Sequence, residues 1–448
     1  MTRTLPRQAL QYRWLIFGVL SIGYILVFFH RLCPAVVAVD MMHDLHASGA
    51  LIGLLSSAYF YPYALMQIPT GLLSDSWGPR RTISLFLIIA SAGSVLLAMA
   101  SSPFWAVTGR VLVGLGVSTL FVCTLKILSQ WFHSREFATM TGLFMALGGL
   151  GSLAAAGPLA YLSSRIGWRT SFLLVGGITI LVALLIWLLV RDKPEEFRRE
   201  DTVRHSEPSL APRSLAKGIR TVLSEPAFWP FAIWFFFNSA IYFSFVGLWG
   251  GPYLMHVYGI SKGEAGNILS FSAIGLMVGS PLVSYLSNRV FRGRKPVLVL
   301  SSIMALCLTA ALAFATAKLP YPALYLISFG FGATTGSAVV IAFTAVKELF
   351  PLQIAGTATG LVNLFPFAGG AVLQPILGVI LERNGRVADT FTTTGYAEAF
   401  FLLFLCGLLA CTCSFFIRET FVHHPVATGP TSEIPLPPEP SAERNRKK

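Results

Sequence analysis

Long apolar runs alternate with short polar breaks along the whole chain. The runs cover approximately residues 14–39, 50–72, 82–101, 104–130, 137–160 and 169–190, then 228–251, 264–287, 296–317, 321–346, 354–380 and 397–417. About 20 mostly apolar residues suffice for a helix to cross a hydrocarbon core of ~30 Å. The pattern therefore predicts an all-α membrane protein of twelve transmembrane helices. Residues 1–13 form an N-tail, 14–190 a first six-helix bundle, 191–226 a linker, 227–418 a second six-helix bundle and 419–448 a C-tail. The linker opens on Arg191-Asp192-Lys193-Pro194-Glu195-Glu196, a polar, proline-bearing break. The tail from Pro425 onward is rich in Pro, Glu and Arg and is expected to be disordered. Arg3, Arg7 and Arg13 precede the first run, as in a signal peptide. That run is too long for a signal sequence and no A-x-A site follows it, so it reads as the first span.

Composition agrees. The 448 residues are 54% hydrophobic and only 12% charged, against about 25% charged in soluble domains. The net charge of +13 does not call for a nucleic-acid partner, because its distribution is lopsided. With both termini placed in the cytoplasm, 24 of the 33 Lys and Arg fall in cytoplasmic segments. Six (Arg165, Arg169, Lys262, Lys318, Arg383, Arg386) fall outside, and Arg31, Arg110 and Lys126 fall within spans. Such a bias sets orientation. The six cysteines form no CxxC pair, so no metal site or disulfide framework is indicated. No Asn-x-Ser/Thr acceptor is present, in keeping with a multi-pass protein of a bacterial inner membrane.

The two sets of six look like a repeat. Pro34 and Pro252 are 218 residues apart, and so are Thr141-Gly142-Leu143 and Thr359-Gly360-Leu361. Parallel halves of this kind place a solute site at their interface near the midplane.

Between runs two and three stands Gly71-Leu-Leu-Ser-Asp75-Ser-Trp-Gly78-Pro-Arg80-Arg81. It resembles the G-x-x-x-D-x-x-G-[x]-R-R loop of the major facilitator superfamily. Gly71 suits close helix packing, Asp75 can accept charged hydrogen bonds at a helix end, and Gly78-Pro79 suits a tight turn. The counterpart in the second half, Ser287-Asn288-Arg289 and Gly293-Arg294-Lys295, lacks the aspartate. Arg110-x-x-x-Gly114-x-Gly116 in run four matches a second family pattern. Tyr59-Phe60-Tyr61-Pro62-Tyr63 and Gln67-Ile68-Pro69-x-Gly71 in run two, with Tyr24 seven residues before Arg31, resemble the anion:cation symporters and their organophosphate and hexuronate relatives. The resemblance spans Trp14 to Arg418 and implies the two-bundle fold, cytoplasmic termini, alternating access and a conformational latch made of Gly71, Asp75, Gly78, Arg80 and Arg81.

Charges within spans normally face a cavity or a partner. Arg31 lies about 25 Å from the inner end of its run and Arg110 about 9 Å from the outer end of its own, at ~1.5 Å per residue. The two are at comparable depth and could face one cavity. Arg31 is expected to bind an anion, since a guanidinium matches carboxylate or phosphate; the plainer alternative is snorkelling to the interface. Arg110 is read as a modulator, with an interhelical hydrogen bond as its alternative. Lys126 is a weaker modulator, able to reach the inner interface. His30 replaces the aspartate that the symporters often carry at this position, and Val117 stands where their second carboxylate is expected. Coupling, if to a proton, falls to His30, with simple packing as the alternative.

The second half supplies Asn238, Tyr242, Trp249 and Asn363. Together with Tyr24 and Gln67 of the first half they form the expected lining, suited to a mixed polar and apolar solute. The expected function is secondary transport of a small solute, an organic anion or an amino acid, by a protein read as a monomer. Two alternatives stay open: export of drug-like compounds, and a transporter-fold solute sensor. The sequence shows no Ser/His/Asp set, HExxH or phosphate loop, so neither enzyme activity nor a cofactor is expected.

Overall fold

The computed structural model describes residues 7–194, 212–387 and 390–421. The disordered tail expected from Pro425 onward, and the linker residues 195–211, lie outside the described residues. Apart from a two-residue hairpin, β1 Arg386–Val387 with β2 Thr390–Phe391, the regular structure is helical. Ten helices are long and apolar enough to cross a membrane, or eleven if the bent pair within 49–76 counts as one span. One of these, Thr139–Leu189, has 51 residues, about 77 Å at ~1.5 Å per residue, more than twice a bilayer core. It is divided at Gly167, whose φ of +78° leaves the helical region.

The first half contains α1 Arg7–Leu32, α2 Pro34–Asp44, α3 Gly49–Ser57, α4 Phe60–Leu65, α5 Gln67–Ser76, α6 Pro79–Ala98, α7 Pro103–Val117, α8 Leu120–Trp131, α9 Ser134–Ala155 and α10 Gly157–Leu189. Helix α11 Pro212–Leu223 follows. The second half contains α12 Phe228–Ser244, α13 Gly250–Tyr258, α14 Lys262–Tyr285, α15 Lys295–Phe314, α16 Tyr321–Phe331, α17 Ala338–Leu349, α18 Leu352–Val362, α19 Leu364–Arg383 and α20 Thr393–Phe416. Among the described residues, π-helical turns occur only in the second half, at Phe245–Trp249, Leu286–Val290 and Gly332–Gly336. Such turns break the i→i−4 ladder and re-aim side chains, often at functional sites. α11 lies in what reads from sequence as a plain polar linker. Its Ile219 and Val222 pack with Ile354 and Phe350 at the foot of α18.

The halves meet unevenly. We call the end with the described termini the inner end. At the outer end α3 packs along α19, α2 along α13, and α9 and α10 along α14. Bare backbone makes this possible: a Cβ on Gly53 would lie 2.5 Å from the Gln374 carbonyl oxygen, and one on Gly251 would overlap that of Ala35. The Gly49 N–H donates to Glu382 at 2.7 Å, and Lys262 pairs with Asp40. Towards the inner end, α5 packs on α4, α6 and α8 of its own half, and α18 on α11, α12, α17 and α19 of the other. The seam is therefore closed outside and diverges inside.

Each inner end is braced by a carboxylate from the stretch after its last helix. Asp192 accepts the Arg80 N–H at 2.7 Å, at the start of α6. Glu419 accepts the Arg294 and Lys295 N–H groups at 2.8 and 3.0 Å, at the start of α15. A carboxylate at a helix N-terminus satisfies orphan donors and complements the dipole. Burial raises the Glu419 pKa, but the backbone N–H groups of Arg294, Phe421, Lys295 and Thr420 outweigh it and hold the carboxyl below its ordinary value.

Candidate functional site

At the apex where the halves begin to diverge lies Arg31, 8% exposed. It is the penultimate residue of α1, which breaks at Cys33 before Pro34 resumes as α2; a proline removes a donor and favours such a break. The guanidinium carbon is 4.7 Å from the Phe28 ring, 5.1 Å from Tyr63, 5.1 Å from Phe367 and 6.0 Å from Phe243. Two of these rings come from each half. Arg31 Nε has no hydrogen-bond partner, and no carboxylate among the described residues forms an ion pair with Arg31. An aromatic cage with a cation at its centre compensates part of the charge through ring quadrupoles and leaves donors for an anion.

Arg110 has the opposite environment. It is 1% exposed, donates to the His30 carbonyl at 2.9 Å and the Ser56 carbonyl at 3.5 Å, and lies over the Tyr59 ring at 5.2 Å. It ties α7 to α1 and α3, the interhelical bond weighed as its alternative. His30 is fully buried, and neither ring nitrogen has a partner. Its ring packs at an edge to Phe29, 5.9 Å between centroids.

The expected lining separates into two groups. Gln67 and Asn363 meet across the seam, Asn363 Nδ2 donating to Gln67 Oε1 at 3.3 Å. Tyr24 stacks on Phe144 at 4.3 Å and meets Phe28 edge-on at 5.2 Å, beside the cage. The Tyr242 hydroxyl is buried with no hydrogen-bond partner. By contrast, Asn238 donates to the Thr335 carbonyl at 2.8 Å and Trp249 to the Gln374 carbonyl at 3.0 Å. Both are 1% exposed and bond within the second half, so these two donors are already used.

Phe28, Tyr63, Phe243 and Phe367 escaped the sequence reading as site residues. Phe28 had a signal, since it lies three residues before Arg31 on the same helix face. Phe243 and Phe367 had none, because only the packing of the halves brings them there.

The latch loop is assembled at the inner end. Asp75 accepts from Lys126 Nζ at 2.6 Å, and the same amine donates to the Ser74 carbonyl at 2.8 Å. Lys126 is thus engaged with the loop. Gly78 adopts φ +89°, a turn that disfavours side chains. Arg80 lies 4.8 Å from the Trp187 ring, and Arg81 is exposed. The close packing expected of Gly71 is not present: a Cβ there would meet nothing within 4 Å. In the second half Arg294 bonds Asn288 at 2.6 Å and pairs with Glu348 at 2.8 Å, a substitute bracket for the absent aspartate.

The family model described as Major Facilitator Superfamily matches residues 20–373 and again 243–438. Among curated relatives, a probable sulfoacetate transporter of Cupriavidus necator is 24% identical over 87% of this chain and 92% of its own. A hexuronate transporter of Bacillus subtilis is 24% identical over 85% and 91%. Among solved structures, a bacterial homolog of the human lysosomal transporter Spinster, in an inward-facing and unoccupied conformation, superposes with a TM-score of 0.67 at 21% identity. It covers 91% of this chain and 96% of its own.

Proposed function

The chain belongs to the Major Facilitator Superfamily of membrane transporters, and from that premise we propose that it carries a small organic anion, bearing a carboxylate or sulfonate, by alternating access. One observation carries the reading. The Arg31 guanidinium sits between rings of both halves at the apex of the seam with no carboxylate partner. An anion held there would bridge the two halves, so its binding would couple to their relative rotation. The names of the relatives, sulfoacetate and hexuronate transporters, point to the same solute chemistry.

In this reading Gln67, Asn363, Tyr24 and Tyr242 orient the remainder of the solute. The Asp75, Gly78, Arg80 and Arg81 loop latches the inner end when it closes, with Gly71 then in contact. The Gly167 break is the outer turn between spans five and six, which brings the spans to twelve and both termini to the cytoplasmic face. The conformation described is the inward-open one.

Thermal unfolding in the presence of sulfoacetate, glucuronate, cationic drugs and neutral drugs tests the proposal. Stabilisation by the anions, abolished in Arg31→Ala, is expected. Stabilisation by cationic or neutral drugs that persists in Arg31→Ala would favour the exporter and remove the anion reading. Flux in proteoliposomes separates carriage from solute sensing, since a sensor binds without transport.

A further inference from the structure

We propose that the groove between α15, α19 and α20, at the outer end of the second half, is a binding site for an ethanolamine phospholipid whose ammonium pairs with Glu398. The inference stands apart from the solute reading above, because it concerns an outward face of one half and not the seam.

The groove has a volume of about 510 Å³, within the ~300–1,000 Å³ usual for ligand pockets. Ala313 of α15, Ile380 of α19 and Ala397, Phe401, Leu402 and Leu405 of α20 line it together with Glu398. Other exposed side chains of these three helices, Phe314, Val379, Leu408 and Leu409, are apolar, as on a face that meets lipid. Glu398 lies five residues past Thr393, the start of α20, about 7.5 Å inward from the outer end of the helix at ~1.5 Å per residue. Phe401, Leu402 and Leu405 follow it at i+3, i+4 and i+7. One face of α20 therefore carries a carboxylate above an apolar stripe, and the small Ala313 and Ala397 leave room along that stripe for an acyl chain.

Glu398 is also set apart by its partners. Every other carboxylate among the described residues meets a cation or accepts a backbone N–H; at the same end Asp40 pairs with Lys262, Asp44 with Arg169 and Glu382 with Arg386. Glu398 has the neutral Asn384 amide alone, whose Nδ2 donates to Oε2 at 2.7 Å and to the Ile380 carbonyl at 3.0 Å. That bond fixes the carboxylate beside the groove and leaves Oε1 open. An ionised group at such a depth normally has a partner, and no cation among the described residues pairs with this one. A primary ammonium can donate to it, whereas a choline headgroup has no N–H. Arg383, which ends α19, and Lys318, beyond α15, are exposed at the same end and in no ion pair among the described residues. They suit the phosphate of the same lipid. Ile380 lies two residues before Glu382, which accepts the Gly49 N–H, so the site is built on the turn of α19 that closes the outer end.

The test offers the purified full chain an equimolar mixture of dioleoyl phosphatidylethanolamine, phosphatidylcholine and phosphatidylglycerol, and counts retained lipid by native mass spectrometry. Wild type should retain the ethanolamine lipid over each of the others by about tenfold, the scale of one charge-assisted hydrogen bond. Glu398→Gln, equal in shape, should bring the three lipids to parity. Arg31→Ala should leave the preference intact, which separates this site from the solute site. A photoreactive ethanolamine lipid should label the stretch Phe401–Leu405 of the wild type, a measurement that needs no variant to fold. Equal retention of the three lipids by wild type, a preference that survives in Glu398→Gln, or labelling confined to other spans overturns the assignment.

Discussion

The two walls of the central seam differ in kind. The first-half wall holds two arginines, one bonded to backbone carbonyls and one caged by rings without a carboxylate. Among the described residues, the second-half wall brings no charge to that depth. It offers Phe243 and the Tyr242 hydroxyl on a span that carries a π-turn, and Phe367 and the Asn363 amide on the span over Ile354–Arg383. The contrast suggests a division of labour: a fixed charge on one half and a neutral, adjustable surface on the other. It also shows that depth alone does not assign a role to a membrane-embedded arginine, since its partners decide.

The sharpest way to break this comparison is to remove the caged charge. Arg31→Ala should lower apparent affinity for an anion by about 100-fold, the scale of a lost charge-assisted pair, while the unfolding temperature stays near wild type. Equilibrium binding and thermal unfolding check the two halves of that statement. Arg110→Ala should show the reverse balance. Two carbonyls lose their donor, and stability should fall by ~2–3 kcal/mol, seen as a lower unfolding temperature. If Arg31→Ala instead destabilises the fold while Arg110→Ala abolishes binding, the roles are reversed.

The second-half wall should respond more mildly. Tyr242→Phe and Asn363→Ala are each expected to weaken binding by about three- to tenfold, the range of one neutral hydrogen bond, and to alter preference among anions. The smallest effect concerns pH at the inner brace. Glu419 has its pKa lowered in the folded protein, so its stabilisation is present above the unfolded value near ~4.3 and is lost as pH falls through the folded value. Acid should lower the unfolding temperature of the wild type below about pH 4, and Glu419→Gln should flatten that slope.

Much of the fold could be read from the sequence because a bilayer demands long apolar helices and punishes exceptions. The Asp75–Lys126 pairing at the inner end was within reach too, since the loop carries its own turn chemistry and Lys126 is long enough to find it. Arg31 stood out because a charge in an apolar run needs an explanation. What surrounded it did not, since Phe243 and Phe367 look like the many other phenylalanines of these spans until the halves are packed. Gly53 and Gly251 were equally silent, because their role exists only against a backbone from the other half. The α11 helix escaped because its short apolar face interrupts a stretch otherwise dominated by charge. Gly71 shows the converse: its motif is legible, but the close packing it led one to expect is absent, since a Cβ there would meet nothing within 4 Å.

The brace at Glu419 bears on how the chain can be handled. Residues 418–421 hold the loop that opens α15, so a tag, fusion or truncation placed directly after α20 would cut away part of the second bundle's inner scaffold. Reporter domains are better joined beyond Phe421, where no described contact of the bundle is sacrificed.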